Sequence, residues 1–279
     1  MPRTGLILIT IAALAWSTSG LFTRSLTLDA PTILFWRGLF GALGLAAVLV
    51  LVPATGGVRG LWRLGPAGVA YAGITALSML LFISALLTTS VAHVAILTAT
   101  VPFVAGLLGW VLMRERPTRS AAVGSLAALA GVSLMAGLGT EGTPAGDALA
   151  LLMAIAMGGM ILIARRHPGI PALAATCAAS GIGALAVLPF ATLDIGTADM
   201  AGLLAFALVN QVLGFGAFAI GARYLPPMET ALITALDAPL APLWVWLVLA
   251  ETPSPATLAG GAVVMAAVLV HVLRSGRMA

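Results

Sequence analysis

The sequence predicts an all-α polytopic membrane protein with ten transmembrane helices in two inverted five-helix repeats. Three observations lead there. The chain is 61% hydrophobic and 8% charged, with a mean hydropathy of +1.13, which leaves too little charge to cover a water-facing exterior. Apolar runs of about 20 residues recur, each long enough to cross a hydrocarbon core ~30 Å thick, and strict alternation, the mark of a barrel strand, does not replace them. The stretch from Thr88 to Gly124 recurs from Tyr224 to Gly260 at a constant shift of 136 residues.

At that shift Ala95, Thr98, Ala99, Trp110, Glu115, Pro117 and Gly124 fall on Ala231, Thr234, Ala235, Trp246, Glu251, Pro253 and Gly260. Alanine matches carry little weight in an apolar chain. The tryptophans and the two Glu-x-Pro motifs carry more. A repeat of about half the chain length in a membrane protein is the signature of a transporter built from two related halves. The halves are taken as 1–139 and 144–279, within a single integral membrane domain.

The spans follow from the apolar runs and their punctuation: 5–23, 32–52, 66–87, 92–113, 120–138, 147–164, 172–191, 200–222, 229–249 and 256–273. Pro31 opens the second, and Pro53 with Gly56-Gly57 closes it. Pro117 separates the fourth from the fifth, and the run from Gly139 to Pro144 separates the halves. Pro168, Pro171, Pro226-Pro227 and Pro253-Ser254-Pro255 mark the later turns. Arg3, an apolar stretch and Ala13-Leu14-Ala15 also have the outline of a cleavable signal, but cleavage would leave nine spans and unbalance the halves.

Charge sets the orientation. Every basic residue is Arg, and all but Arg24 and Arg37 fall in segments on the side of the N-terminus. The acids Asp29, Glu141, Asp147, Asp194, Asp199 and Glu251 collect on the other side. The positive-inside bias therefore places both termini in the cytoplasm of a bacterial cell, with the chain multi-pass in the inner membrane. Five spans is an odd number, so the second half enters the membrane upside down. The pI near 10.6 invites a nucleic-acid reading, but the arginines are scattered over loops and form no patch. One cysteine, Cys177, allows no intrachain disulfide.

Few residues can carry chemistry. Asp237 lies near mid-membrane in the ninth span, where a carboxylate is costly unless paired, protonated or hydrated. It is either a substrate or proton site on a wet cavity, or a protonated acid bonded to a neighbouring helix. Pro239 and Pro242 follow it, freeing the carbonyls of Ala235 and Ala238, and Pro102 frees that of Thr98. Spans four and nine are thus expected to bend at comparable depth, as hinges or as packing kinks. His93 and Glu229 match at the repeat shift and begin those spans, as gate residues or as interfacial side chains. His93 titrates near neutrality, which leaves proton coupling open.

Tyr71, Thr75, Ser78 and Phe82 share one face of span three, and Asn210 and Gln211 sit within span eight. They line a cavity or join helices. Thr100 borders the kink at Pro102 and is a further cavity candidate. Trp16 and Ser17 open a polar half-turn in span one, matched by Met157-Gly158 in span six. Trp16 would stack on a substrate or simply pack. Arg37 lies one to two turns inside span two and either snorkels outward or receives a carboxylate. Trp110, Trp244 and Trp246 read as interface anchors, and Ala127/Gly131 and Ala262/Ala266 as packing faces. Hydrolase elbows, phosphate loops and metal-ligand clusters are missing from the sequence, so neither a catalytic site nor a metal or other cofactor is expected.

Ten spans in inverted halves, a mid-helix Pro in each fourth span, Glu-x-Pro and Gly before each fifth, Trp16-Ser17, and Pro31 followed by Arg37 together resemble the EamA-type branch of the drug/metabolite transporter superfamily. Within it the chain is similar to YddG-type amino-acid exporters. That resemblance implies export of aromatic and other neutral amino acids, or related small metabolites, by alternating access. Spans three, four, eight and nine would line a central cavity, with Trp16, Ser78, His93, Pro102, Asn210, Asp237 and Pro239 as candidates. A drug or quaternary-cation exporter is the alternative, with Asp237 as cation partner and tryptophans as a cage. A lipid-directed membrane enzyme and a passive channel are further classes. The expected partners are a small-molecule substrate and the bilayer, and oligomeric state is open.

Overall fold

Ten apolar rods of this length can bury their backbone polar groups in lipid only as helices. The computed structural model describes residues 2–52, 57–89, 91–136, 143–250 and 252–276, and within these the chain is helical. Span one is α1 (Pro2–Ser17) and α2 (Ser19–Ser25), and span two is α3 (Ala30–Leu51). The single turn α4 (Arg59–Trp62) precedes span three, α5 (Gly65–Thr88). Span four is α6 (Val91–Thr98) and α7 (Val101–Met113), and span five is α8 (Arg119–Met135). Spans six and seven are α9 (Pro144–Arg166) and α10 (Ala172–Val187). Span eight runs through α11 (Thr197–Phe206), a π-helical stretch (Ala207–Phe215) and α12 (Gly216–Gly221). Span nine is α13 (Pro227–Thr234) and α14 (Asp237–Leu249), and span ten is α15 (Pro255–Gly276). Among the described residues nine spans are long and apolar enough to cross a membrane; α8, at 17 residues, is the short one. An even number of spans puts both termini on one side, called here the terminal face.

The helix ends have local causes. Asp29 caps α3 by accepting from the Thr32 amide at 3.2 Å, and hydrogen bonding from Thr32 holds its carboxyl below the usual range. Thr118 and Thr143 cap α8 and α9 in the same way. Helices α7 and α14 end on left-handed residues that are not glycine, Arg114 (φ 58°) and Ala250 (φ 57°). These are repeat mates at the shift of 136, so the two halves share an unusual backbone conformation and not only residue types.

Packing repeats with the same symmetry. Span three lies on span six, and span eight on span one. Span seven packs on three as two packs on eight, and span four on six as nine on one. Spans two and seven, and five and ten, pair with their own mates. Each contact is the image of another under exchange of the halves. Single residues obey it as well. A Cβ on Gly5 would lie 2.8 Å from Tyr224 Cβ, and one on Gly146 would lie 2.5 Å from Thr89 Cβ and 2.9 Å from Thr88 C. Positions 88 and 224 are mates, and the two contacts lie at opposite faces, as an inverted repeat requires.

The hydrophobic effect gives helices little reason to associate in lipid, so close approach through small residues does the work. The core is rich in alanine: Ala12, Ala72, Ala76, Ala105, Ala128 and Ala154 are all buried. Spans five and ten meet with Gly131 against Gly260, where a Cβ on Gly260 would sit 2.3 Å from the Gly131 carbonyl oxygen. The packing faces are Gly124, Ala128 and Gly131, facing Gly260, Val264 and Val268. Ala262 and Ala266 instead face outward and Ala127 is half-buried, because small residues at four-residue spacing fix a stripe but not which way it points. Large apolar side chains cover the outside, including Trp62, Leu185, Phe190 and Leu247. Trp110 and Trp246 are exposed as expected, whereas Trp244 turns inward. Span one belongs to the core, with Ile9, Ala12 and Ala13 fully buried.

Substituting Gly260 by Leu should force spans five and ten apart and destabilise the protein by about 1–3 kcal/mol, as overpacking does. Gly73→Leu, where nothing lies within 4 Å, should be neutral. Thermal unfolding in detergent separates the two; equal melting temperatures would contradict the close crossing.

Candidate functional site

Three spans break inside the bilayer. In span one, Ser17, Thr18 and Ser19 turn their hydroxyls back to the carbonyls of Leu14, Ala15 and Trp16 at 2.6–2.7 Å. Three successive back-bonds compete with the helix ladder, and α1 ends there. Spans four and nine break at Ala99-Thr100 and Ala235-Leu236, which are repeat mates. In both, the threonine before the break back-bonds: Thr98 to Val94 and Thr234 to Ala231. Pro102 and Pro239 then supply no amide to the preceding turn. The carbonyl of Ala235, expected to be free, accepts from the Ala238 amide at 3.3 Å, because the turn tightens locally.

The breaks divide spans four and nine into halves that behave differently. Toward the terminal face, α7 and α13 pack on each other, with Gly106 against Met228 and Gly109 against Pro227. Exchange of the repeats would turn this contact into one between α6 and α14. Those halves pack elsewhere: α6 on spans six and five, and α14 on spans one and ten. Here the pseudo-two-fold fails among the described residues: spans four and nine pack on each other toward the terminal face and not toward the opposite one.

Polar side chains cross the interior beside the breaks. Trp244 Nε1 donates to Ser17 Oγ at 2.7 Å, tying α14 to the break in span one. Asn210 Nδ2 donates to Ser19 Oγ at 2.6 Å, and Asn210 Oδ1 accepts from Arg37 Nη1 at 3.2 Å. The Arg37 guanidinium also lies over the Phe206 ring, 5.2 Å from its centre. No carboxylate in the described chain pairs with Arg37. The π-helical stretch positions these groups: its wider turn directs Asn210 to spans one and two, while Gln211 presses on Gly41, where a Cβ would lie 2.6 Å from Gln211 Cβ. Gly38 and Gly44 continue the same close face of span two, against span seven and Val212.

Other expected residues lie as follows. Trp16 packs on Phe215 and Phe218, with ring centres at 4.8 and 5.0 Å, and fits over Gly214. Asp237 begins α14, half-buried, with no side-chain partner among the described residues, two turns from Trp244 on the same helix side. Tyr71 and Thr75 are fully enclosed toward spans six and seven, Ser78 is half-buried and Phe82 faces out. Thr100 back-bonds to Leu97 at the break. Pro239 rests against Gly261 of span ten, and Pro242 lines a lipid-side groove between spans nine and ten. The side chain of His93 lies outside the described residues. Trp16, Ser17, Asn210, Arg37 and Asp237 thus flank the breaks, while Tyr71 and Thr75 lie apart from them. Ser19, Trp244 and Ser180 are site residues that sequence reasoning did not single out. Ser19 was visible as the third hydroxyl of its run, and Ser180 as a polar residue in an alanine-rich span.

On the terminal face Arg165 pairs with Glu115 at 3.2 Å and donates to the Arg223 carbonyl, while Arg223 donates to that of Ile170. Glu229 approaches His271 at 3.8 Å, and His271 meets Ser120 at 3.1 Å. These bonds staple the ends of spans four to ten on the side where α7 and α13 are closed.

The EamA-like transporter family matches residues 3–137 and again 144–273. The two matches begin 141 residues apart and end 136 apart, which agrees with Trp16 falling on Met157 and Trp110 on Trp246. No protein of curated function matches the chain. A solved structure described only as "Crystal structure of protein" is similar in fold, with a TM-score of 0.84 and 21% identity over 99% of each chain.

Removing the Trp244–Ser17 bond should cost about 1 kcal/mol. Ser17→Ala, Trp244→Phe and the double variant form a cycle by thermal unfolding. The double should be no worse than the worse single; full additivity would mean the bond carries no energy.

Proposed function

The chain belongs to the EamA-like transporter family, and we propose that it exports neutral amino acids, aromatic ones included, or related small metabolites by alternating access. The observation that carries this reading is the α7–α13 contact, whose symmetry counterpart is missing among the described residues. In a two-fold machine, contact made at one face and not at the other is what a state closed there and open opposite requires. The two five-helix halves, 1–139 and 144–279, then exchange roles. The arginine distribution supports cytoplasmic termini in an inner membrane, so the closed side is the cytoplasmic one and the described state faces outward.

Solute passes beside the breaks in this scheme. Asp237, Trp16, Ser17, Ser78, His93, Thr100, Asn210 and Gln211 contribute to the path, and Pro102, Pro239 and Pro242 allow the half-helices to swing. A zwitterion suits a path bordered by Arg37 and by Asp237, neither of which has an oppositely charged side chain beside it among the described residues. Asp237 with Trp244 two turns away also suits a quaternary cation, which is the second reading. A proton on Asp237 or His93 would couple export to a pH gradient.

The panel that separates these readings is competition against labelled phenylalanine in proteoliposomes. Neutral amino acids should compete and tetraalkylammonium ions should not; the reverse result selects the cation carrier. Asp237→Asn should lower initial flux at least about tenfold, the scale of a lost charged hydrogen bond. The gate has its own test. A Cβ on Gly106 would lie 3.4 Å from Met228 Cβ, close to disulfide range. With Cys177 replaced by Ser, the pair Gly106→Cys and Met228→Cys should cross-link, stop transport, and recover on reduction. Undiminished transport by the cross-linked protein would refute a moving gate there.

A further inference from the structure

Three residues that line one crevice among spans two, three, seven and eight each carry a buried polar atom without a hydrogen-bond partner. These atoms are Arg37 Nε, Ser180 Oγ and Gln211 Oε1. Gly38 and Met79 form part of its apolar wall, and its room is about 10 Å³, enough for one water-sized atom. A hydrogen-bonding group left unmade in a low-dielectric interior costs about 1–3 kcal/mol, and three around one void is a costly arrangement unless something fills it.

The donor set selects the occupant. Arg37 lines the crevice; it spends Nη1 on Asn210 and its ring-facing side on Phe206, and its Nε is left without a partner. Ser180 can donate its hydroxyl. Gln211 can donate once its amide is turned, and the two orientations of an amide are alike in shape. Among the described residues no acid pairs with the guanidinium, and Asp29, at the cap of span two, lies eight residues or ~12 Å along the helix from it. Spans two, three and seven hold no acid, and in span eight the nearest is Asp199, about three turns or ~16 Å along the helix from Asn210.

We propose that this crevice is a subsite for a small anionic group, one oxygen of a carboxylate or a single halide ion, seated on Arg37, Ser180 and Gln211. On the carrier reading, upon which this assignment rests for its role, it holds the carboxylate end of the transported solute. Arg37 gains its counter-charge only when the site is filled, so filling it stabilises the folded protein.

That linkage gives a test independent of transport. The purified protein is melted in detergent with sodium formate, sodium chloride or sodium gluconate at equal ionic strength. At about ten times its Kd, formate should raise the wild-type melting temperature about 3–5 °C above gluconate. Arg37→Gln should abolish the rise. Ser180→Ala is the safer variant, because its hydroxyl bonds to nothing in the empty protein. It should melt no lower than wild type in gluconate yet need about five- to tenfold more formate for the same rise. A response to formate alone assigns the site to carboxylates, and an equal response to chloride assigns it to small anions in general. No anion response in wild type, or the same response in Ser180→Ala and wild type, overturns the proposal. Uptake of phenylalanine into liposomes keeps the two readings apart. Transport without an anion response removes the subsite and leaves the carrier, and an anion response without transport does the opposite.

Discussion

A helix interrupted inside lipid must find partners for the backbone groups it releases, since no water is there to take them. The structure depends on how spans one, four and nine meet that demand. Hydroxyls and locally tightened backbone bonds share the task. Ser17, Thr18, Ser19, Thr98, Thr100 and Thr234 all turn back on carbonyls of their own helices. Prolines do the rest by removing amides that would otherwise need acceptors. Once broken, a helix has two halves with separate neighbours, and only then can one half stay packed while the other parts from its counterpart.

Symmetry makes the consequence visible. Nearly every helix contact recurs under exchange of the halves, down to the left-handed caps Arg114 and Ala250 and the glycine contacts at positions 5 and 146. Against that regularity, the α7–α13 contact is the most extensive one whose image is missing among the described residues; the contacts of α13 with spans five and six, and of span seven with span eight, lack theirs as well. The glycines at 106 and 109 let Met228 and Pro227 come close, and the repeat mates of those glycines are Pro242 and Val245. The halves therefore differ in side chain at the very contact that differs in geometry. Glycine in span four thus permits on the terminal face a close approach that proline and valine in span nine do not permit on the other.

Much of this was legible in the sequence. Span number, helix limits within a few residues and the inverted repeat follow from apolar length, proline punctuation and the shift of 136, because lipid imposes a simple rule on length and polarity. The bends in spans four and nine were legible from Pro102 and Pro239. Rotation about each helix axis was not. In lipid both sides of a helix are apolar, so the order of apolar and polar residues does not say which side faces in. That is why Trp244 read as an anchor and Ala262 as a packing residue. The π-helical turn left no signal either: Asn210 and Gln211 are adjacent, and an α-helix would point them about 100° apart, so that both reach enclosed positions is a property of the widened turn.

The two intramembrane ionisable residues come from different halves and lie at different depths. Arg37 is the eighth residue of α3, about 10–12 Å from the face opposite the termini, and Asp237 begins α14, about 18 Å from that face. Neither has a mate of like kind: the mate of Asp237 is Val101, and Cys177 occupies the region comparable to Arg37. Had both charges been duplicated by symmetry, each would face a second like charge across the axis, at a cost in low dielectric that grows as they approach. An inverted repeat can therefore share its hinges, caps and crossings between the halves while its ionisable residues stay single. The halves diverge at these two positions as they do at the glycines of the α7–α13 contact.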